Sequence, residues 1–111
     1  MKAALDLDDA ILSRPRLSIL AALVGGDAVD FTFLQKNLGI SDGNLGTHLR
    51  KLEDAKYIQS KKVFVKRKPK TWFQITAEGR RALDRLFRQL EEMLEKGVRH
   101  QASGRTLADL T

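Results

Sequence analysis

Six cationic side chains, Lys61, Lys62, Lys66, Arg67, Lys68 and Lys70, fall within one short stretch that holds no acid. Charges this close repel one another unless a polyanion lies against them. A phosphate backbone relieves that repulsion and releases its own counterions. Upstream, Asn44, Thr47, Arg50 and Lys51 recur on one side of a helical stretch, opposite Leu45, Leu49 and Leu52. Such side chains suit nucleic acid: Asn can bond adenine bidentately, Arg and Lys reach guanine or phosphate, and Thr touches phosphate or a thymine methyl. The chemistry indicated is non-covalent recognition. No nucleophile–base constellation, phosphate-binding glycine loop or metal-ligand cluster is visible, so the chain reads as a non-enzyme with no cofactor and no metal site.

The distribution of charge supports the same partner. The chain has 111 residues, a net charge of +6 and a pI near 9.9. Residues 43–81 hold eleven Lys/Arg against three Asp/Glu, whereas the remainder holds nine against eleven. All the positive excess therefore sits around the two candidate elements, which points to a polyanion. There is no cysteine, which removes disulfides, thiolate metal sites and cysteine catalysis. No apolar run reaches the roughly 18–20 residues that a membrane span needs. The N-terminus, MKAALDLDD, is acidic and lacks a signal peptide's apolar centre, so the expected location is cytoplasmic.

The elements that position these side chains follow from periodicity. Leu5–Leu12 suggests a short helix. Ser13-Arg14-Pro15 restarts one, with proline in the first turn where a missing N–H is tolerated. Leu17, Ile19, Leu20, Leu23 and Val24 follow at helical spacing until Gly25-Gly26. Asp30 is placed to cap a second helix with Phe31, Phe33 (or Leu34) and Leu38 inward, and Gly39 is placed for a left-handed C-cap. Ser41 caps a third helix, about 41–54, whose Leu45, Leu49 and Leu52 make a narrow apolar stripe. Gly43 and Gly46 each cost this helix about 1 kcal/mol relative to alanine. For Gly43 two offsets are open, close approach of backbone to DNA or tight packing on the second helix; Gly46, beside Thr47 and away from the leucine stripe, is expected near DNA. His48 lies at the edge of the stripe, where a half-buried structural role is expected.

After Ala55-Lys56 the period becomes alternating. Ile58, Ser60, Val63 and Val65 form one strand and Thr71–Ile75 the return strand, with Lys66–Lys70 as the tip. Pro69 suits a loop or an edge, since it offers no ladder donor. Trp72 is expected against the hairpin base or the third helix. Thr76 caps a last helix in which Leu83, Leu86, Phe87, Leu90, Met93 and Leu94 recur like a heptad, ending at Gly97. That stripe outruns what a small core covers, so self-association through it is expected. The polar tail from His100 is either disordered or a short helix at Thr106–Leu110. The fold class is mainly α with a small antiparallel β-hairpin (α+β): a helix–turn–helix and hairpin in one domain over residues 1–97, with an added C-terminal dimerisation helix, then a tail over 98–111.

The segments RPRLSILAAL, DFTFLQKNLGISDGNLGTHLRKLEDAKYI and KTWFQITAEGRRAL together resemble the winged helix–turn–helix transcriptional regulators of the MarR/ArsR-like, small stand-alone type. The resemblance covers roughly Ser13–Leu83. It implies that the helix beginning at Ser41 is the recognition helix, with Asn44, Thr47, Arg50 and Lys51 at the major groove; the capping Ser41 and the glycine Gly46 are expected DNA-contact positions beside them. It implies that the basic hairpin is the wing and that the last helix builds a homodimer; within the wing, Arg67 at the tip is expected in the minor groove, with Lys62, Lys66, Lys68 and Lys70 along the backbone phosphates. The chain departs from the family's metal sensors in having no cysteine, and from its longer members in having little chain for an effector pocket. Lys56 stands where relatives commonly have glycine. The expected function is a sequence-specific, double-stranded DNA-binding regulator, a dimeric repressor acting by occlusion. The alternatives are a winged-helix protein-interaction module and a nonspecific nucleic-acid binder.

Overall fold

The computed structural model describes residues 6–101 and 104–110, and for residues 98–101 the backbone alone. Residues 6–12 form hydrogen-bonded turns, with Ile11 N–H and Leu12 N–H both donating to the Asp8 carbonyl at 3.2 Å. The helix expected over Leu5–Leu12 is therefore replaced by a turn that drives Ile11 fully into the core (Leu5 lies outside the described residues). Asp8 earns this conformation through its side chain, which accepts from Ala10 N–H and from the Tyr57 hydroxyl.

Helix α1, Arg14–Leu23, begins at Ser13, whose hydroxyl accepts from Arg16 N–H at 3.1 Å. It buries Ile19, Leu20 and Leu23, while Leu17 and Val24 stay on the exposed side. A two-residue strand, β1 (Val29–Asp30), leads into α2 (Phe31–Leu38). Asp30 ends the strand and caps the helix, its carboxylate accepting from Phe33 N–H at 2.7 Å. Leu34 is the buried residue of α2, and Phe33 lies half in solvent. Gly39 closes the helix at φ 62°, a left-handed conformation that glycine adopts without steric cost.

Helix α3, Asp42–Asp54, is capped by Ser41 and buries the expected Leu45, Leu49 and Leu52. It ends at Lys56, held at φ 68°. Strand β2 (Ile58–Val65) and strand β3 (Lys68–Ile75) then form a hairpin in the register Ile58↔Ile75, Ser60↔Phe73 and Val65↔Lys68. β1 joins the other edge of β3 through Val29↔Phe73 and Asp30↔Trp72, so the sheet has three antiparallel strands in the order β1-β3-β2.

The last helix, α4 (Ala77–Gln101), is locked to the turn before β2. Thr76 N–H donates to the Tyr57 carbonyl at 3.0 Å, the Thr76 hydroxyl donates to the Lys56 carbonyl at 2.7 Å, and Gly79 N–H donates back to that hydroxyl at 3.0 Å. Gly79 is required for this approach: a Cβ there would collide with the Tyr57 carbonyl oxygen and come within 2.9 Å of Ile75 Cγ1. Contrary to expectation, Gly97 does not end α4, which continues through it to Gln101. A single exposed glycine costs a helix about 1 kcal/mol, which strong helix-forming neighbours outweigh. The tail resolves into a 3₁₀ turn, Leu107–Leu110, with the Asp109 carboxylate accepting from Thr106 N–H.

One core joins all of this: Ile11, Ile19, Leu20, Leu23, Leu34, Leu45, Leu49, Leu52, Ile58, Phe73, Ile75, Ala82 and Leu86. The molecule is nevertheless long. Its radius of gyration is 18.7 Å and its extents are 70 × 27 × 21 Å, against a radius of about 13 Å for a compact chain of this length. The α4 helix accounts for the excess, since its 25 residues span about 37 Å and only its first turns meet the core.

Candidate nucleic-acid interface

The leucine stripe of α3 presses one side of the helix into the core and leaves Asn44, Thr47, Arg50 and Lys51 exposed on the other, beside the exposed Ser41. Two of these groups have part of their hydrogen-bonding capacity committed. The Ser41 hydroxyl accepts from Asn44 N–H at 3.4 Å, and the Thr47 hydroxyl donates to the Gly43 carbonyl at 2.9 Å. Thr47 therefore offers its methyl and its oxygen lone pairs outward, and its proton stays within the helix. Gly43 and Gly46 have no atom within 4 Å of where a Cβ would stand. Packing against α2 does not explain either glycine.

His48 occupies the edge of the stripe and is half-buried, as expected. Arg16 reaches across from α1, its Nη1 lying 3.0 Å from His48 Nδ1. A guanidinium only donates, so Nδ1 accepts and the imidazole proton resides on Nε2. The same guanidinium donates to the Ala10 carbonyl at 2.6 Å and the Asp9 carbonyl at 3.1 Å. One side chain thus ties the N-terminal turn, α1 and α3 together. Burial, then the nearby Arg16 and Lys51 charges, hold the His48 pKa below its ordinary value.

The hairpin divides its cations more finely than its sequence suggested. The tip is two residues, Lys66 and Arg67, at φ 51° and 67°. Two successive positive φ values are what a type I′ turn needs, and that turn favours Asn-Gly. Lys68, Pro69 and Lys70, expected in the tip, belong to β3. Pro69 pairs with Phe64 beyond the reach of β1, whose register stops at Trp72, so no second strand is denied a donor. Strand alternation then sorts the side chains. Ser60, Lys62, Phe64, Pro69 and Thr71 share the face of Ile58, Phe73 and Ile75, while Lys61, Val63, Lys68, Lys70 and Trp72 share the other.

The first of those faces is turned toward α3, since the Ser60 hydroxyl donates to the Glu53 carboxylate at 3.0 Å. Lys62 thus stands on the side of α3, and Lys66 and Arg67 extend from the end of the hairpin. Lys70 is differently employed. Its ammonium is 3.0 Å from the Asp30 carboxylate and lies 4.8 Å from the centre of the Trp72 ring. The Asp30 pKa is lowered from the usual carboxylate value by the Phe33 N–H bond first and then by Lys70. Trp72 is half-buried at the hairpin base, as expected. The Ser60–Glu53 and Lys70–Asp30 contacts were not legible in the sequence, because each joins side chains from different elements.

On α4 the heptad stripe splits in two. Leu86 is buried in the domain's own core with Ala82, and Leu83 packs against that core. Leu86 is therefore not available to a partner, a correction to its expected place on the contact stripe. Phe87, Leu90 and Leu94 are exposed by 69%, 42% and 70%, and Met93 is half-buried. Among the described residues no group of three or more His, Cys, Asp or Glu converges, and no helix is long and apolar enough to cross a membrane.

Comparison with known proteins agrees with this geometry. A family model described as a winged helix DNA-binding domain matches residues 16–94. An uncharacterized protein of Methanocaldococcus jannaschii is 42% identical over 65 residues, 59% of this chain and 71% of that protein. Among solved structures, a transcriptional regulator homologue from Pyrococcus horikoshii superposes with a TM-score of 0.75 at 30% identity, covering 86% of this chain and 97% of the other. A transcriptional regulator from Thermotoga maritima shares the fold with a TM-score of 0.66 at 17% identity, covering 89% of this chain and 69% of that one. The chain belongs to the winged helix DNA-binding domain family.

Proposed function

We propose that this protein is a sequence-specific transcriptional regulator that binds double-stranded DNA as a homodimer and represses by occlusion. The observation that carries the reading is the shared orientation of α3 and the wing. The Ser60–Glu53 contact fixes the Lys62 face of the hairpin beside the helix whose outer side carries Asn44, Thr47, Arg50 and Lys51. A helix of this width enters the major groove, and a cationic hairpin beside it meets the adjacent backbone and minor groove. Asn44, Arg50 and Lys51 supply base-edge contacts. Gly46, with open space over it, lets the helix backbone come close to the duplex. Lys62, Lys66, Arg67 and Lys68 neutralise phosphates, and Lys70, held by Asp30, buttresses the wing from behind.

The dimer follows from α4. Leu83, Phe87, Leu90 and Leu94 recur at intervals of four, three and four, the spacing of a coiled-coil seam. Covering the exposed part of that seam with a second copy places two recognition helices on one duplex, where half-sites lie about 34–36 Å apart.

Two measurements test this. A duplex-binding isotherm taken across salt concentrations is expected to be steep, and Arg67→Ala or Lys68→Ala should each flatten its slope by about 0.9. Unchanged slopes refute the wing assignment, and no retention of duplex DNA refutes the function. By light scattering the wild type should be a dimer and Leu90→Asp a monomer; a monomeric wild type refutes the dimer.

A further inference from the structure

We propose that Phe64, braced by Pro69 across the hairpin, is an apolar wedge that the wing sets into the minor groove of the bound duplex, so that the protein senses the deformability of a base step there. The inference rests on the duplex-binding reading above and adds a contact that charge does not provide.

Phe64 is 72% exposed, the most exposed aromatic ring among the described residues. An isolated exposed apolar residue is ordinary; the surroundings of this one are not. It shares its face with Lys62 on its own strand, and Lys66 and Arg67 follow two and three residues later at the tip. A second copy of the chain docking there would bring like charges together. A ligand with anionic walls and a less polar floor fits the patch, and the minor groove is such a ligand: phosphates at its rims, sugars and base edges between.

Orientation supports the same occupant. The Ser60 hydroxyl fixes this face toward the end of α3, and Phe64 lies four residues farther along it, about 13 Å at strand rise. The ring therefore lies on the recognition-helix side, beyond the part of the sheet that covers the core. Pro69, its cross-strand neighbour, has a fixed backbone and no side-chain freedom to lose. Apolar side chains presented in this way enter base steps and partly unstack them, most readily at flexible pyrimidine–purine steps.

The test uses the full chain and a mixed-sequence duplex of about 30 base pairs with a TA step flanked by the fluorescent base 2-aminopurine. Wild-type binding should raise the fluorescence. Phe64→Ala should abolish that rise and weaken binding about tenfold, with an unchanged salt slope because no phosphate contact is lost. Phe64→Leu should retain most of the affinity. Three results overturn the wedge: Phe64→Ala binding like the wild type, a loss accompanied by a flatter salt slope, or an altered oligomeric mass of the free variant. A wild type that leaves the duplex unbound refutes the underlying DNA reading as well, whereas retention of the duplex with no effect at Phe64 refutes the wedge alone.

Discussion

Replacing the hairpin tip by Lys66→Asn and Arg67→Gly should make the protein more stable and a weaker DNA binder at once. Both residues sit at positive φ, 51° and 67°. Left-handed backbone costs an L-residue about 1–2 kcal/mol, asparagine somewhat less and glycine almost nothing. Asn-Gly is also the preferred pair for a two-residue hairpin turn. The double variant should therefore gain about 1–2 kcal/mol, a rise of about 5–10 °C in Tm for a domain of this size. Loss of two cations from a hairpin with several more adds to the gain. On the binding side, two lost phosphate contacts flatten the plot of log K against log salt by about 1.8 and weaken binding about thirtyfold near 0.15 M salt. Thermal melts and salt-dependent binding isotherms read the two effects separately. Opposite signs exclude general damage as the cause. An unchanged Tm refutes the strain argument, and an unchanged slope refutes the contact of the tip with phosphate.

Gly46→Ala should raise helix stability by about 1 kcal/mol, since nothing stands within 4 Å of the added methyl, yet weaken duplex binding. Unimpaired binding by filter retention would show that the backbone does not approach DNA there. Gly79→Ala should lower stability by about 3 kcal/mol, because the methyl must displace the Tyr57 carbonyl or the start of α4; a melt within a degree or so of wild type would contradict the packing argument. His48 has a folded pKa below its ordinary 6.5, so the unfolded chain binds the proton more readily. Its contribution is then fully present above about 6.5 and is lost as pH falls through the depressed folded value. His48→Gln keeps an acceptor for Arg16 but does not titrate, and its Tm should fall less than the wild type's over that window; parallel curves would refute the Arg16–His48 clasp.

Much of this fold depends on neighbours in the chain and was legible for that reason. Ser13, Asp30, Ser41 and Thr76 each satisfy free amides at the start of a helix, and Gly39 takes the left-handed turn at the end of α2. Leu45, Leu49 and Leu52 reveal their helix face by spacing alone, so the exposed side of α3 was readable with them. The cationic hairpin was readable too, because like charges massed without acids need an external partner. The length of α4 was not legible at Gly97, where a local breaker is weaker than the helix on both sides of it.

What the sequence determined by itself is where the four helices begin, which side of α3 is apolar, and where positive charge gathers. Only the tertiary structure decided which of those groups remain free to act. It tied Lys70 to Asp30, Ser60 to Glu53 and His48 to Arg16, pairs drawn from separate elements. It also paired β1 with β3, sent Leu86 inward while leaving Phe87 outside, and put Phe64 on the α3 side of the β2–β3 hairpin. The reason is physical. Caps, turns and periodicity are set within a few residues, where chain geometry fixes the distances. Contacts between elements depend on how those elements pack, and a one-residue change of strand register exchanges every side chain between the two faces.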